Sequence, residues 1–378
     1  MDCRTILVTG GAGFIGSNFI HYLIETYGDQ VEIINFDALT YAGNLENLKE
    51  VEDLANYRFE KGDITSSKEV ARMFETYDVD LVVHMAAESH VDRSILDPEV
   101  FIRTNVLGTY NLLMAAKRAW EVGPKTYAAG KRFVHVSTDE VYGSLADDGS
   151  FFTETTPLDP HSPYSASKAS SDLFVKAFGD TYGFPFCITR CSNNYGPYQF
   201  PEKLIPLMIH NALKGLPLPV YGKGENIRDW LYVADHCKAI DLVSREGRLG
   251  EVYNIGGHNE LRNIDLVKSI LQKVREALPE GDPRAETITE GLIRYVADRP
   301  GHDLRYAISP QKIHQELSWL PETCFDQGIE RTIQWYLENL SWMEHITSGA
   351  YEAYYDAMYQ HRGVTADKTQ EPQSLLKA

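Results

Sequence analysis

The chain has 378 residues, enough for a sizeable core and, by length, for two domains or one large domain with a cap. Its composition, 43% hydrophobic and 24% charged, is ordinary for a globular protein, and its net charge of −18 argues against a nucleic-acid partner, whose phosphates need a basic surface. No run of about 18 apolar residues occurs, so no membrane span is expected. Ile6-Leu7-Val8 is far too short for a signal peptide, and the five cysteines form no CxxC pair. They read as reduced thiols in a soluble, cytoplasmic protein.

Short β-rich runs alternate with helical patterns through the first half. Thr5 to Thr9 is predicted as a strand and Phe14 to Thr26 as a helix with apolar residues at helical spacing. Further strands follow at Val31 to Phe36, Asp80 to Met85 and Arg132 to Ser137, with a helix from about Pro98 to Trp120 between the last two. Another helix is expected over about Ser162 to Tyr182. This alternation predicts an α/β fold with a Rossmann-type, doubly wound parallel sheet. From about Pro185 prolines and glycines become frequent, which suits a smaller C-terminal α/β lobe covering a ligand, with some segments returning to the sheet. The polar, aperiodic tail 362–378 reads as disordered. No role is assigned to the segment 119–131.

The first strand runs into Thr9-Gly10-Gly11-Ala12-Gly13-Phe14-Ile15-Gly16, directly before a helix. Gly10, Gly13 and Gly16 allow a sharp turn, close approach of the backbone to a pyrophosphate, and tight helix–strand packing. The helix N-terminus offers free N–H groups to a phosphate. Asp37 ends the second strand, where a carboxylate can accept hydrogen bonds from an adenosine ribose and would repel a 2′-phosphate. No Arg or Lys follows in 38–43, so NAD is favoured over NADP. Asp63 is an adenine-side candidate, although a strand-end turn residue fits nearly as well.

Tyr164 and Lys168 stand four residues apart, on one face of a helix. An ammonium and a cationic nicotinamide ring near a tyrosine favour its phenolate, which can then deprotonate a substrate hydroxyl. Ser137-Thr138-Asp139-Glu140-Val141-Tyr142-Gly143 follows an apolar strand. Just past a strand end, Thr138, Asp139 and Glu140 can curl to face one ligand. Adjacent carboxylates suit a protonated acid beside an ionised base.

Together these residues resemble the extended short-chain dehydrogenase/reductase family acting on nucleotide sugars, and the Thr138-Asp139-Glu140 run resembles its 4,6-dehydratase branch. Three stretches agree: Ala86 to Ser94, Cys191 to Tyr198, and Asp298 to Asp303. The resemblance runs from about Thr5 to about Tyr354. It implies residues 1–190 as a mainly NAD-binding domain and 191–361 as a mainly nucleotide-sugar-binding lobe. The implied cofactor set is Gly10, Gly13, Phe14, Ile15 and Gly16; Asp37, Asp63 and Ile64; Ala86 and Ala87; and Tyr164, Lys168 and Asn193.

For a dTDP-glucose substrate the resemblance implies that Tyr164 deprotonates the C4 hydroxyl while hydride leaves C4. Lys168 lowers the tyrosine pKa, and Thr138 hydrogen-bonds the C4 oxygen. Glu140 then removes the C5 proton, and Asp139 protonates the departing C6 hydroxyl. Ser89 and Asn193 contact the sugar, Lys203 and Arg228 offset diphosphate charge, and Asn263 and His302 lie near the nucleotide. No metal site is expected, since His302 lacks partners at ligand spacing. A homodimer is implied, built on the helices near 98–120 and 162–182. The rival readings are another nucleotide-sugar enzyme, a 4-epimerase or decarboxylase, and a catalytically silent NAD-binding regulator. The first has no use for Asp139 and Glu140; the second would be expected to have lost part of the set.

Overall fold

The structure, a computed structural model, describes residues 4–347. The tail expectation for 362–378 therefore lies outside the described residues, as does Cys3. In chain order the first strands are β1 (Arg4–Thr9), β2 (Val31–Asp37), β3 (Tyr57–Lys61) and β4 (Leu81–His84). The segment around 119–131 contains a small hairpin, β5 (Glu121–Gly123) and β6 (Thr126–Tyr127). The chain continues with β7 (Arg132–Thr138), β8 (Phe186–Cys191), β9 (Asn193–Tyr195), β10 (Leu218–Tyr221) and β11 (Ile227–Tyr232). The last strands are β12 (Glu251–Ile255), β13 (Glu260–Arg262) and β14 (Ile293–Val296).

Seven strands form one sheet in the order β12-β8-β7-β4-β1-β2-β3, every neighbouring pair parallel. Helices cover both faces, so the strands are apolar runs without alternation: Leu7 and Val8 of β1, and Val82 and Val83 of β4, are fully buried. The chain order reverses between β1 and β4, which opens a crevice at their carboxyl ends. The helix Phe14–Tyr27 buries Phe19, Ile20 and Leu23 against the sheet and leaves Glu25 in solvent.

The helix expected from Pro98 to Trp120 is present but not uniform. Its middle, Ile102–Gly108, is wound as a π-helix between α-helical ends at Pro98–Phe101 and Thr109–Trp120. Such wider turns favour functional sites, and here the wide turn carries Thr104 and Asn105.

Beyond β8 a second core forms. Two small sheets, β13-β11-β9 and β10-β14, pack with the helices Leu204–Lys214, Asn263–Ala277 and Phe325–Glu338. Met208, Ile209, Leu266, Ile270, Ile329 and Ile333 fill this core. The helix Val233–Glu246 and β12 belong instead to the first core, through Ile240, Val243, Tyr253 and Ile255. Among the described residues no helix is long and apolar enough to cross a membrane.

Candidate active site

Gly10 ends β1 at φ +73°, and a Cβ there would lie 2.7 Å from the backbone of Ala86 at the end of β4. A Cβ at Gly16 would lie 2.2 Å from the Gly10 carbonyl oxygen. Only glycine lets the two strand ends and the helix come this close. No side chain caps the helix N-terminus at Gly13, so its first N–H groups remain available to an anion. These features fit a dinucleotide pyrophosphate.

Asp37 reaches back to the same loop. Its Oδ2 accepts from Ala12 N at 2.9 Å and its Oδ1 from Leu39 N at 2.8 Å, while burial raises its pKa. Each oxygen keeps a second lone pair for a ribose hydroxyl. Asp63 is exposed and accepts from Thr65 N at 2.8 Å, the turn-residue geometry, yet it also lines the cleft beside Ile64.

One cleft of about 400 Å³ runs from the glycine loop to the ends of β7 and β8. Gly10, Gly13, Phe14, Ile15, Gly16, Asp37, Asp63, Ile64, Ala86 and Ala87 line one end. Ser89, Thr138, Glu140, Tyr164, Lys168, Asn193 and Lys203 line the other. Four expected residues, Asp139, Arg228, Asn263 and His302, lie outside this lining.

The side chains expected to be catalytic sit on two elements. β7 ends at Thr138, which caps a 3₁₀ turn over Asp139–Tyr142 by accepting from Glu140 N at 3.3 Å. The helix Pro163–Tyr182 opens with a reciprocal Ser162/Ser165 capping box and Pro163 in its first turn, so its start is firmly set one residue before Tyr164. Lys168, one turn on, donates from Nζ to the Val136 carbonyl of β7 at 2.9 Å. Asn105 on the π-turn exchanges two 2.9 Å hydrogen bonds with the Glu88 backbone and donates to Ser167 at 2.8 Å. It thereby ties the Ala86–Ser89 loop to the Tyr164 helix.

Burial dominates the electrostatics. It lowers Lys168 to about 8, opposed by Asp172. Burial, then the charge of Glu140, push Tyr164 well above its usual range. In the protein alone desolvation is thus the largest influence on Tyr164, while the Lys168 ammonium is directed at Val136 O. Burial and Glu140 hold Asp139 well above the carboxylate range. Burial also raises Glu140, but Arg299, Arg228 and Lys203 draw it back. The two carboxyls are therefore split, with Asp139 the better acid and Glu140 the better base. Asp139 is 1% exposed; its Oδ1 accepts from Thr138 Oγ1 at 3.3 Å and its Oδ2 has no partner among the described residues.

The second lobe brings up the cations. Lys203 Nζ donates to Ser89 O at 2.7 Å. Arg228 stacks on Tyr306, with its guanidinium carbon 4.1 Å from the ring centroid, and donates to Asp303 O at 3.0 Å. Asn226 also donates to Asp303 O, and Asn263 N donates to Asn226 O, so Arg228 and Asn263 adjoin. The Asn263 Oδ1 is buried without a partner among the described residues. His302 Nδ1 lies 2.6 Å from Asp298 Oδ1, and its ring meets Tyr221 edge-on at 6.1 Å. Burial lowers its pKa to about 4, so it is neutral at pH 7.

Two networks escaped sequence reasoning. Glu202 accepts from Tyr41 at 2.8 Å and Arg93 at 3.0 Å, joining the loop after β2 to the second lobe. Asp172 pairs with Arg190 Nε at 2.8 Å and stands 3.3 Å from His135 Nε2 beneath the site. Neither has a local motif, although Glu202 adjoins Lys203 and Asp172 lies one turn past Lys168. Among the described residues no group of three or more His, Cys, Asp or Glu could hold a metal.

A family model described as GDP-mannose 4,6 dehydratase matches residues 7–332. A dTDP-glucose 4,6-dehydratase of Salmonella typhimurium is 52% identical over 94% of this chain and 99% of its own. One from Neisseria meningitidis is 55% identical over 92% and 97%. The crystal structure of the Streptomyces venezuelae dTDP-glucose 4,6-dehydratase with NAD and TYD bound superposes with a TM-score of 0.82 at 48% identity, covering 91% of this chain and 100% of that one. The Thermotoga maritima UDP-glucose 4-epimerase shares the fold, with a TM-score of 0.77, at only 28% identity over 89% of this chain and 100% of its own. At 52% and 55% identity over nearly the whole of both chains, against 28% for the epimerase that shares the fold, the chain belongs to the dTDP-glucose 4,6-dehydratase family.

Proposed function

We propose that this chain converts dTDP-glucose to dTDP-4-keto-6-deoxyglucose with NAD as a retained cofactor, and that its described residues divide the work as follows. NAD supplies a hydride acceptor for C4 and later a donor for C6. Tyr164 takes the proton of the C4 hydroxyl, and the Lys168 ammonium together with the cofactor's own positive charge offsets the cost that burial places on the phenolate. Thr138 donates to the C4 oxygen. Glu140 takes the C5 proton, acidified by the new ketone, and Asp139, held protonated, gives its proton to the leaving C6 hydroxyl. Water leaves, and C5 is reprotonated after C6 is reduced.

Residues 1–190 serve mainly the cofactor and 191–361 mainly the nucleotide sugar. Ser89 and Asn193 hold the sugar, and Lys203 and Arg228 neutralise the diphosphate. Asn263 and neutral His302 face the nucleotide. A local cluster of cations thus receives an anionic substrate on a chain of net charge −18. The observation that carries this reading is the shared cleft, which brings Tyr164 and Lys168 within reach of the same ligand as Glu140.

The enzyme acts as a cytoplasmic homodimer in this reading. Ile102, Leu107, Leu173 and Phe174 are exposed on the two neighbouring helices, an apolar face of the kind that a second copy covers. Incubation with dTDP-glucose and, separately, UDP-glucose, followed by mass spectrometry, tests the activity. Loss of one water from the dTDP sugar without net NADH supports it; an isobaric product, or no turnover, rejects it.

A further inference from the structure

The acid–base turn needs an anchor that its own hydrogen bonds do not supply. Thr138 holds Asp139 and Glu140 by two contacts of 3.3 Å, both long, and burial sets the two carboxyls against each other. The last residue of the turn, Tyr142, is 2% exposed and far better held. Its hydroxyl accepts from Arg190 Nη1 at 2.8 Å and donates to Asn254 Oδ1 at 2.8 Å. Its ring stacks on Phe152 at 5.1 Å, with the Arg190 guanidinium 4.8 Å from its centroid.

Arg190 is also the partner of Asp172, through Nε at 2.8 Å, and Asp172 lies one turn beyond Lys168 on the helix that carries Tyr164. One planar guanidinium therefore bridges the two elements that hold the chemistry. Its fork serves both partners at fixed geometry, as a lysine could not. Burial opposes the Asp172 anion, but Arg190 and His135 overcome it and hold that group at about 2, so the bridge stays charged at working pH.

Resting on the dehydratase reading above, we infer that Tyr142 is a positioning residue, which through Arg190 and Asp172 sets the Asp139–Glu140 turn in register with the Tyr164–Lys168 helix. The elimination step depends on this register more than the oxidation step does. Tyr164 and Lys168 are carried on a helix with its own capping box and packing, whereas Glu140 must meet C5 from a short turn. A misplacement of about 1 Å is enough to cost two orders of magnitude in rate.

The test is Tyr142→Phe, which keeps the ring in its stack and removes only the bridging hydroxyl. In single turnover with dTDP-glucose, the variant is expected to form NADH, read at 340 nm, at near the unmodified rate. That NADH should persist, with water loss slowed about tenfold or more. Arg190→Lys, a second variant, should show the same partition more strongly, and thermal melts of both should remain single cooperative transitions. If Tyr142→Phe eliminates at the normal rate, or slows oxidation and elimination equally, the hydroxyl is only a satisfied core group and the inference falls. Absence of turnover by the unmodified enzyme would overturn the functional reading itself, and the inference with it.

Discussion

The glycine-loop end of the cleft and its second-lobe end are made from different kinds of contact. At the first, the contacts are made to the main chain: Gly10 lies against Ala86, Gly16 against Gly10, and the Asp37 carboxylate accepts from two main-chain N–H groups. At the second, side chains reach across from distant segments. Lys203 reaches Ser89, Arg228 lies on Tyr306, and Glu202 gathers Tyr41 and Arg93. The cofactor end is thus built on main-chain contacts, whereas the substrate end draws its side chains from the second lobe. In the proposed reaction, keeping a cofactor bound and exchanging a sugar at every turnover make opposite demands, and the two constructions answer them.

Substitutions can test this division. The largest effect is expected at Tyr164, where Phe should lower turnover by about 10³-fold and abolish NADH formation in single turnover, measured at 340 nm. Persistent reduction of the bound cofactor would place the C4 base elsewhere. Next comes Glu140→Gln, expected to slow overall turnover by about 10²-fold while the 4-keto intermediate still forms, as mass spectrometry of the quenched sugar can show. Normal water loss in that variant would remove Glu140 as the C5 base. The first change stops the reaction before hydride transfer and the second after it, so the pair separates the redox half of the site from the elimination half.

How much was legible in the sequence follows the same boundary. The glycine loop, Asp37, and Tyr164 with Lys168 are set by spacing along one strand, loop or helix, and each could be read from its neighbours. The parallel sheet was legible for the same reason, since β1, β2, β4 and β7 announce themselves as apolar runs. Arg228, Asn263 and His302 had no such pattern, and only family resemblance singled them out. The Asp172–Arg190–Tyr142 bridge was invisible, because its members lie on three elements that meet only in the folded sheet. The π-turn at Ile102–Gly108 was likewise hidden inside an ordinary helical pattern. The burial that raises the Tyr164 pKa was hidden too, since desolvation belongs to the packed structure and to no short motif.

At the substrate end, Arg228→Lys should raise KM for the nucleotide sugar about tenfold with a smaller change in kcat. A lysine cannot reproduce both the stack on Tyr306 and the fork to the backbone near Asp303. Steady-state kinetics reads that split, and an equal loss in both constants would put Arg228 in the chemistry instead.

The smallest effect is expected in stability, at Lys168. Its pKa falls from the ordinary 10.5 to about 8 in the folded chain, so the unfolded state binds the proton more tightly. Stability therefore rises as pH climbs from about 8 to about 10.5, and below pH 8 the whole cost of burying the ammonium is present. That cost is on the order of 3 kcal/mol, offset by about 1 kcal/mol for the hydrogen bond to Val136 O. Lys168→Met should consequently melt roughly 2 to 4 °C higher than the unmodified protein at pH 7, although it is inactive. The gap should close as the melts are repeated toward pH 10. A variant that melts lower at pH 7 would mean that Asp172 and the Val136 carbonyl hold the ammonium more firmly than its burial penalises it. The redox end would then be stabilised by its catalytic lysine rather than strained by it.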